Sequence, residues 1–334
     1  MELEFTLVAD GLGFPEGPVA MEDGTLLFVD IEKEGLYRLN PQGEVTRVAC
    51  LPGGPNGLAI GLDGAAYVCN NGGVYLFGPF HPKPGITWTL PAPNSAHTGG
   101  WIERVDLGTT PATVTRLIDN CDGKPLLAPD DIVFDSKGGF YFTDSGKQDS
   151  TDSGKQELDM LRKGGVFYVS PDLTVTKLAT LATANGVGLS PDEGTLYVSD
   201  TIFGRLWALK VPQPDPHAPG ALIGIPGTVV QTLPGLQWLD SLKVEAGGNI
   251  CVGTLLNGGI TIFSPDGSFE HIGSTLNDPM VTNLCFGGAD MRDVWITASA
   301  TGTIYKTRWP RPGLRLHGSA ASGLGSAAPG LGGG

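Results

Sequence analysis

A six-fold repeat constrains this chain more than any other feature. Each copy opens on a residue with a side-chain oxygen, enters a short apolar stretch, turns, and leaves on a second apolar stretch. The first runs Glu16-Gly17-Pro18-Val19-Ala20, turns at Asp23-Gly24 and continues from Thr25 to Asp30. The second runs Asn56-Gly57-Leu58-Ala59-Ile60, turns at Asp63-Gly64 and ends on Tyr67-Val68-Cys69-Asn70. Asp130, Asn185, Asp240 and Thr282 head four more copies, which end near Asp144, Asp200, Thr254 and Thr297. Short β-rich runs joined by Gly-containing turns read as hairpins. In the first, third and fifth copies two further strand-like runs follow, such as Leu36 to Leu39 and Glu44 to Val48. Four strands in roughly 40–50 residues make one blade of a propeller. The expected fold is all-β: a six-bladed β-propeller of four-stranded antiparallel blades around a central channel. Residues 3–9 form an extra strand before the first copy, placed to close the ring against the last blade.

Spacing between successive heads is 40, 74, 55, 55 and 42 residues, so some copies carry insertions. These are Pro79–Trp101, Ser145–Gly164 and Val211–Gly227, and polar insertions on a rigid scaffold are natural lids and binding loops. The expected organisation is one propeller domain over residues 1–312. A Gly-, Ala- and Ser-rich tail over 313–334 should be disordered, because its composition cannot bury a core.

A formal net charge of -14 argues against a nucleic-acid backbone as partner and suits a cation binder. The five cysteines include no C-x-x-C pair, and Cys69, Cys251 and Cys285 sit in apolar runs as small buried hydrophobes. Reduced thiols, a start without a basic or apolar leader, and no apolar run of about 18 residues predict a cytoplasmic protein off the membrane. Oligomeric state has no signature.

First strands line the channel of a propeller, and all blades run the same way. The heads Glu16, Asn56, Asp130, Asn185, Asp240 and Thr282 should therefore meet as a ring of oxygens at one mouth. Three acids, two amides and a hydroxyl suit a hard divalent cation, because acids so close repel one another without one. Asn56 and Thr282 are equally well explained as polar strand starts. The polar residues ending the second strands, Asp30, Asn70, Asp144, Asp200, Thr254 and Thr297, read as caps on turns, with Asp200 the first candidate for an exception that binds a ligand. Of the histidines, only His97 lies in an insertion that could reach the channel mouth, which makes it a candidate substrate contact. No P-loop lysine pattern or G-x-S-x-G elbow is present.

Phe14-Pro15-Glu16-Gly17-Pro18, Asn185-Gly186 before Leu189-Ser190-Pro191-Asp192, Asp240-Ser241, and Thr282-Asn283 before Phe286-Gly287-Gly288 occur together. This combination resembles the gluconolactonase/regucalcin (senescence marker protein) family over roughly residues 5–308. The resemblance implies a propeller hydrolase with one divalent cation in the channel: calcium first, with magnesium, manganese or zinc after it. It places the metal ligands at Glu16, Asn185 and Asp240, and a further channel contact at Asp130, where relatives usually carry Asn. Asp240 and Asp130 are then the candidate bases, and Asn56, Asp130 and His97 the candidate substrate contacts. The implied reaction is hydrolysis of a small-molecule lactone, a sugar lactone or related cyclic ester. Relatives also include aromatic-lactone and phosphofluoridate hydrolases. Another ester or phosphoester hydrolase, an isomerase, or a non-enzymatic calcium-binding propeller are the alternatives.

Overall fold

The computed structural model describes residues 3–83, 85–146, 164–211, 227–273 and 276–320. Among these residues the strands assemble into six four-stranded antiparallel sheets set as the blades of a propeller. Blade one is Pro15–Ala20, Leu26–Asp30, Gly35–Leu39 and Val45–Cys50, in that order. Blade six takes Val281–Gly287, Asp293–Ala298 and Thr303–Arg308 and borrows its outer strand, Thr6–Ala9, from the chain start. The pairings Thr6↔Lys306 and Leu7↔Tyr305 close the ring as the sequence predicts.

Burial explains why inner and outer strands differ in composition. First strands such as Pro55–Ile60 and Ala184–Leu189 are buried at every position, since neighbouring blades cover both faces. They read as continuous small-and-apolar runs. Outer strands such as Val45–Cys50 are partly open to solvent, with Thr46, Arg47 and Cys50 exposed and only Ala49 buried. The core is a set of layers between blades; Leu27, Val29, Leu58, Ile60, Val68 and Val105 fill the one between blades one and two. Each fully buried aliphatic side chain contributes about 1.5–3 kcal/mol.

Residues ending the second strands cap the loops entering their blades. Asp30 accepts from the Gly13 and Phe14 amides at 2.7 and 3.0 Å, and Asp144 from Leu127 and Ala128 at 2.7 and 2.9 Å. Asp200 behaves alike, accepting from the Thr183 hydroxyl at 2.7 Å.

The Pro79–Trp101 insertion belongs to a two-stranded hairpin, Tyr75–Lys83 against Ile86–Pro93. Its prolines are tolerated because a lone hairpin has edges that need no ladder donor. Phe77 meets Phe14 of blade one at 5.1 Å, and the Thr89 amide donates to the Ala300 carbonyl of blade six at 2.6 Å. The hairpin therefore leaves blade two and arches over one channel mouth. In the other insertions, residues 147–163 and 212–226 lie outside the described residues, and so do 321–334 of the tail.

The expectation of disorder from 313 onward is corrected by residues 313–320, which pack across the opposite mouth. Gly313 bridges Glu245, and the Leu314 amide donates to the Val244 carbonyl at 2.9 Å. Leu314 and Leu316 join the apolar layers of blades five and four, and Arg315 pairs with Glu22 at 3.6 Å. Leu314 and Leu316 fall on alternate positions, before the Gly/Ala/Ser composition begins at Gly318. Upstream, the buried Glu245 carboxylate holds Trp309 Nε1 at 2.7 Å and Arg311 Nε at 2.6 Å, anchoring the segment. A chain ending at Pro312 should lose about 2 kcal/mol of apolar burial, lowering Tm by several degrees in thermal denaturation. An unchanged Tm would mean that the segment adds nothing.

Candidate active site in the channel

In every first strand the pairing register slips at the head. The slips fall between Glu16 and Val19, Pro55 and Leu58, and Pro129 and Ile132. They recur between Ala184 and Val187, Leu239 and Leu242, and Val281 and Asn283. A bulge bends a strand and re-aims a side chain, so each blade turns its head at the same depth. Crowding explains the glycine after several heads. A Cβ on Gly17, at φ 52°, would lie 2.6 Å from the Asn56 carbonyl oxygen, and one on Gly57 2.3 Å from that of Asp130. Hydroxyls from the preceding blade hold backbone carbonyls at or beside other heads. Ser199 Oγ donates to Asp240 O at 2.7 Å, Ser299 Oγ to Pro15 O at 2.6 Å, and Thr143 Oγ1 to Asn185 O. Cys69 fills the same slot in blade two, its Sγ 3.6 Å from Asp131 O, so this thiol is a donor as well as packing.

Glu16, Asn56, Asp130, Asn185 and Asp240 together line a cavity of about 260 Å³ under the hairpin. All five are buried. Thr282 is absent from that lining; its hydroxyl lies within hydrogen-bond reach of Thr297 at 2.9 Å and Ser299 at 2.6 Å. Burial raises the Asp240 pKa well above the ordinary carboxylate value, and the charges of Glu16 and Asp130 raise it further. Asp130 is raised in the same way by burial, then by Glu16 and Asp131. Burial also raises Glu16, against hydrogen bonds from Thr282, Asn283 and the Gly17 amide. Asp130 Oδ1 and Asn185 Oδ1 are buried without a hydrogen-bond partner among the described residues.

This donor set fits a hard divalent cation. It is all oxygen, its acids repel one another, and two of its acceptors face nothing else. Among the described residues no group of three or more His, Cys, Asp or Glu stands ready to hold an ion by itself.

A second layer lies beneath the heads, and sequence reasoning missed it. Lys243 Nζ is 3.5 Å from Asp131 Oδ2 and donates to Asn283 Oδ1 at 3.3 Å. Asn283 Nδ2 donates in turn to Glu16 Oε2 at 2.9 Å, and the Gly17 amide reaches the same oxygen at 2.8 Å. The signal was present: Asp131 and Asn283 occupy the place after the head that is glycine at 17, 57 and 186, and Lys243 interrupts the apolar pair Leu242 and Val244. Tyr75 was also missed. It lines the cavity, and its phenol is held protonated by burial and by the charges of Asp130 and Asp240. It sits on the hairpin, where no repeat marks it.

His97 stands apart from this lining. It is buried, its Nε2 lies 2.9 Å from the Asn71 carbonyl oxygen, and it is not among the cavity residues. The ring braces the returning end of the insertion, because the hairpin between it and the mouth carries the chain over the channel.

The chain matches the SMP-30/Gluconolactonase/LRE-like region over residues 14–300. It is 27% identical over 304 residues to a gluconolactonase of Zymomonas mobilis, covering 84% of this chain and 75% of that one. It is 30% identical over 259 residues to lactonase drp35 of Staphylococcus epidermidis, covering 75% of this chain and 66% of that protein, just under two thirds of its length. A crystal structure of the calcium-binding protein regucalcin from Agrobacterium tumefaciens shares the fold at a TM-score of 0.65 and 18% identity, over 94% of this chain and 98% of that one. With the family pattern matched across nearly the whole propeller, the chain belongs to the SMP-30/gluconolactonase/LRE-like family.

Proposed function

We propose that this chain hydrolyses a lactone on the head ring with one divalent cation bound there, calcium first. The observation that carries the reading is the set of three buried, mutually repelling carboxylates, with two unpartnered oxygens on Asp130 and Asn185, at the floor of a cavity. Lactonase relatives support the substrate, and the calcium-binding regucalcin structure supports the ion. Glu16, Asn185 and Asp240 would hold the cation, with Asp130 direct or through water. When bound, the cation polarises the lactone carbonyl and stabilises the negative charge that develops on its oxygen.

The chain's own groups do the rest. Asp240 takes a proton from water as the water attacks the carbonyl carbon. The ring C–O bond then breaks, and the proton passes to the departing alkoxide, leaving a hydroxy acid. Asn56 and the Tyr75 phenol offer donors that orient the ring. Asn283 and the Gly17 amide hold the Glu16 carboxylate in one rotamer. The arching hairpin limits water at the floor.

A panel of lactones assayed before and after chelation tests this directly. Acid release should fall to background on chelation and return with calcium. Full activity in metal-free protein would end the cation-dependent reading, and no turnover of any lactone would end the lactonase reading.

A further inference from the structure

We propose that the lactone taken at this site carries an alkyl chain, in place of the ring hydroxyls of a sugar lactone. This deepens the lactonase reading above and rests on it. The charged and amide heads crowd the cavity floor, and most polar side chains above them are already engaged: Asn94 with Gly73 and Ala96, Ser145 with Ala128 and Thr183 with Asp200, which leaves the Tyr75 phenol and the Thr201 hydroxyl. The cavity walls include Phe14, Val74, Phe77, Trp238, Leu255 and Met280. Among the described residues lining it, none is Lys, Arg or His.

A sugar lactone carries a hydroxyl on most ring carbons. Beyond the Tyr75 and Thr201 hydroxyls the walls offer them no free partner, and burying an unpaired hydroxyl opposes binding. The floor groups cannot answer them all, because they face the ester. An alkyl chain has no such requirement. Each methylene that leaves water for an apolar wall strengthens binding about fourfold when fully buried.

The wall also continues outward. Ile202 lines the cavity and is itself exposed. Exposed Phe203, Leu236 and Leu256 stand on loops of the same face, and exposed Leu76 and Phe80 on the hairpin. Leu236, 72% exposed, adds to this apolar rim. A chain too long for about 260 Å³ thus has apolar surface to run along.

The test is a homologous series of δ-lactones, from the unsubstituted ring to a seven-carbon side chain, with glucono-δ-lactone as the polar comparator. Lactams bearing the same chains, which resist hydrolysis, are titrated calorimetrically in parallel on the calcium-loaded protein. The expected kcat/KM rises about two- to fourfold per methylene over the first several carbons, and lactam Kd falls with the same slope. Ile202→Asn should flatten both slopes. Leu62→Asn, an exposed leucine on the opposite face, should not. A preference for glucono-δ-lactone, or flat slopes in both rate and binding, overturns the inference and leaves the lactonase reading intact. Lactam affinity that climbs with chain length while no lactone turns over sinks the lactonase reading and sustains the apolar ligand.

Discussion

Asp240→Asn is expected to lower kcat by about two to four orders of magnitude, the scale of losing a general base, while calcium remains partly bound. The amide keeps an oxygen toward the ring but cannot accept a proton. Asp130→Asn should behave differently. It removes one of the charges that raise Asp240 and keeps an oxygen toward the ring. Activity should survive within roughly tenfold, with a shift in metal or substrate preference. Both carboxylates are raised by burial and by Glu16, so their surroundings alone do not separate them. One difference does: Asp240 is hydrogen-bonded by Asn185, a head of the ring, whereas Asp130 is hydrogen-bonded by Ser145 and keeps its Oδ1 without a partner. Steady-state kinetics with bound calcium measured in parallel checks the pair. A mild Asp240→Asn beside a dead, metal-loaded Asp130→Asn would reverse the assignment.

Lys243→Met should destabilise the fold by about 3 kcal/mol, because it leaves Asp131 buried without its cation. The Asp131 side chain is 1% exposed and that of Lys243 13%, so water screens the pair little. The loss corresponds to a Tm drop of roughly 4 °C for a chain of this size. Asp131→Asn added to Lys243→Met should recover most of it, since the orphaned charge is then gone. Melting curves of the two single variants and the double variant form the cycle. Additive losses would show that Lys243 and Asp131 do not act as a pair. Calcium affinity in Lys243→Met reports a second effect, because Asn283 then loses the partner that turns its amide toward Glu16.

The blades were legible because hairpin turns and apolar runs recur, and both are local. The heads were legible for the same reason: a repeat that always opens on oxygen places those oxygens at one depth. Turn chemistry also marked Asp30 and Asp144 as caps, whereas Asp200, set apart from them in the sequence, proves to be one too. What escaped depends on contacts between copies. Lys243, Asp131 and Asn283 come from blades five, three and six, and only ring closure brings them together. Tyr75 and His97 lie in one insertion, yet one faces the carboxylates and the other a backbone carbonyl. No period connects them, so the sequence favoured the histidine on chemistry alone. The end of the fold was set too early at Pro312 because composition outweighed the alternation of Leu314 and Leu316.

The most direct test of the account is a calorimetric titration of chelated protein with calcium, on the native chain and on Glu16→Gln. One ion per chain is predicted for the native protein, with binding lost or weakened by orders of magnitude in the variant and lactone hydrolysis lost with it. Equal binding by the two proteins, or hydrolysis by a native chain that takes up no ion, would contradict it.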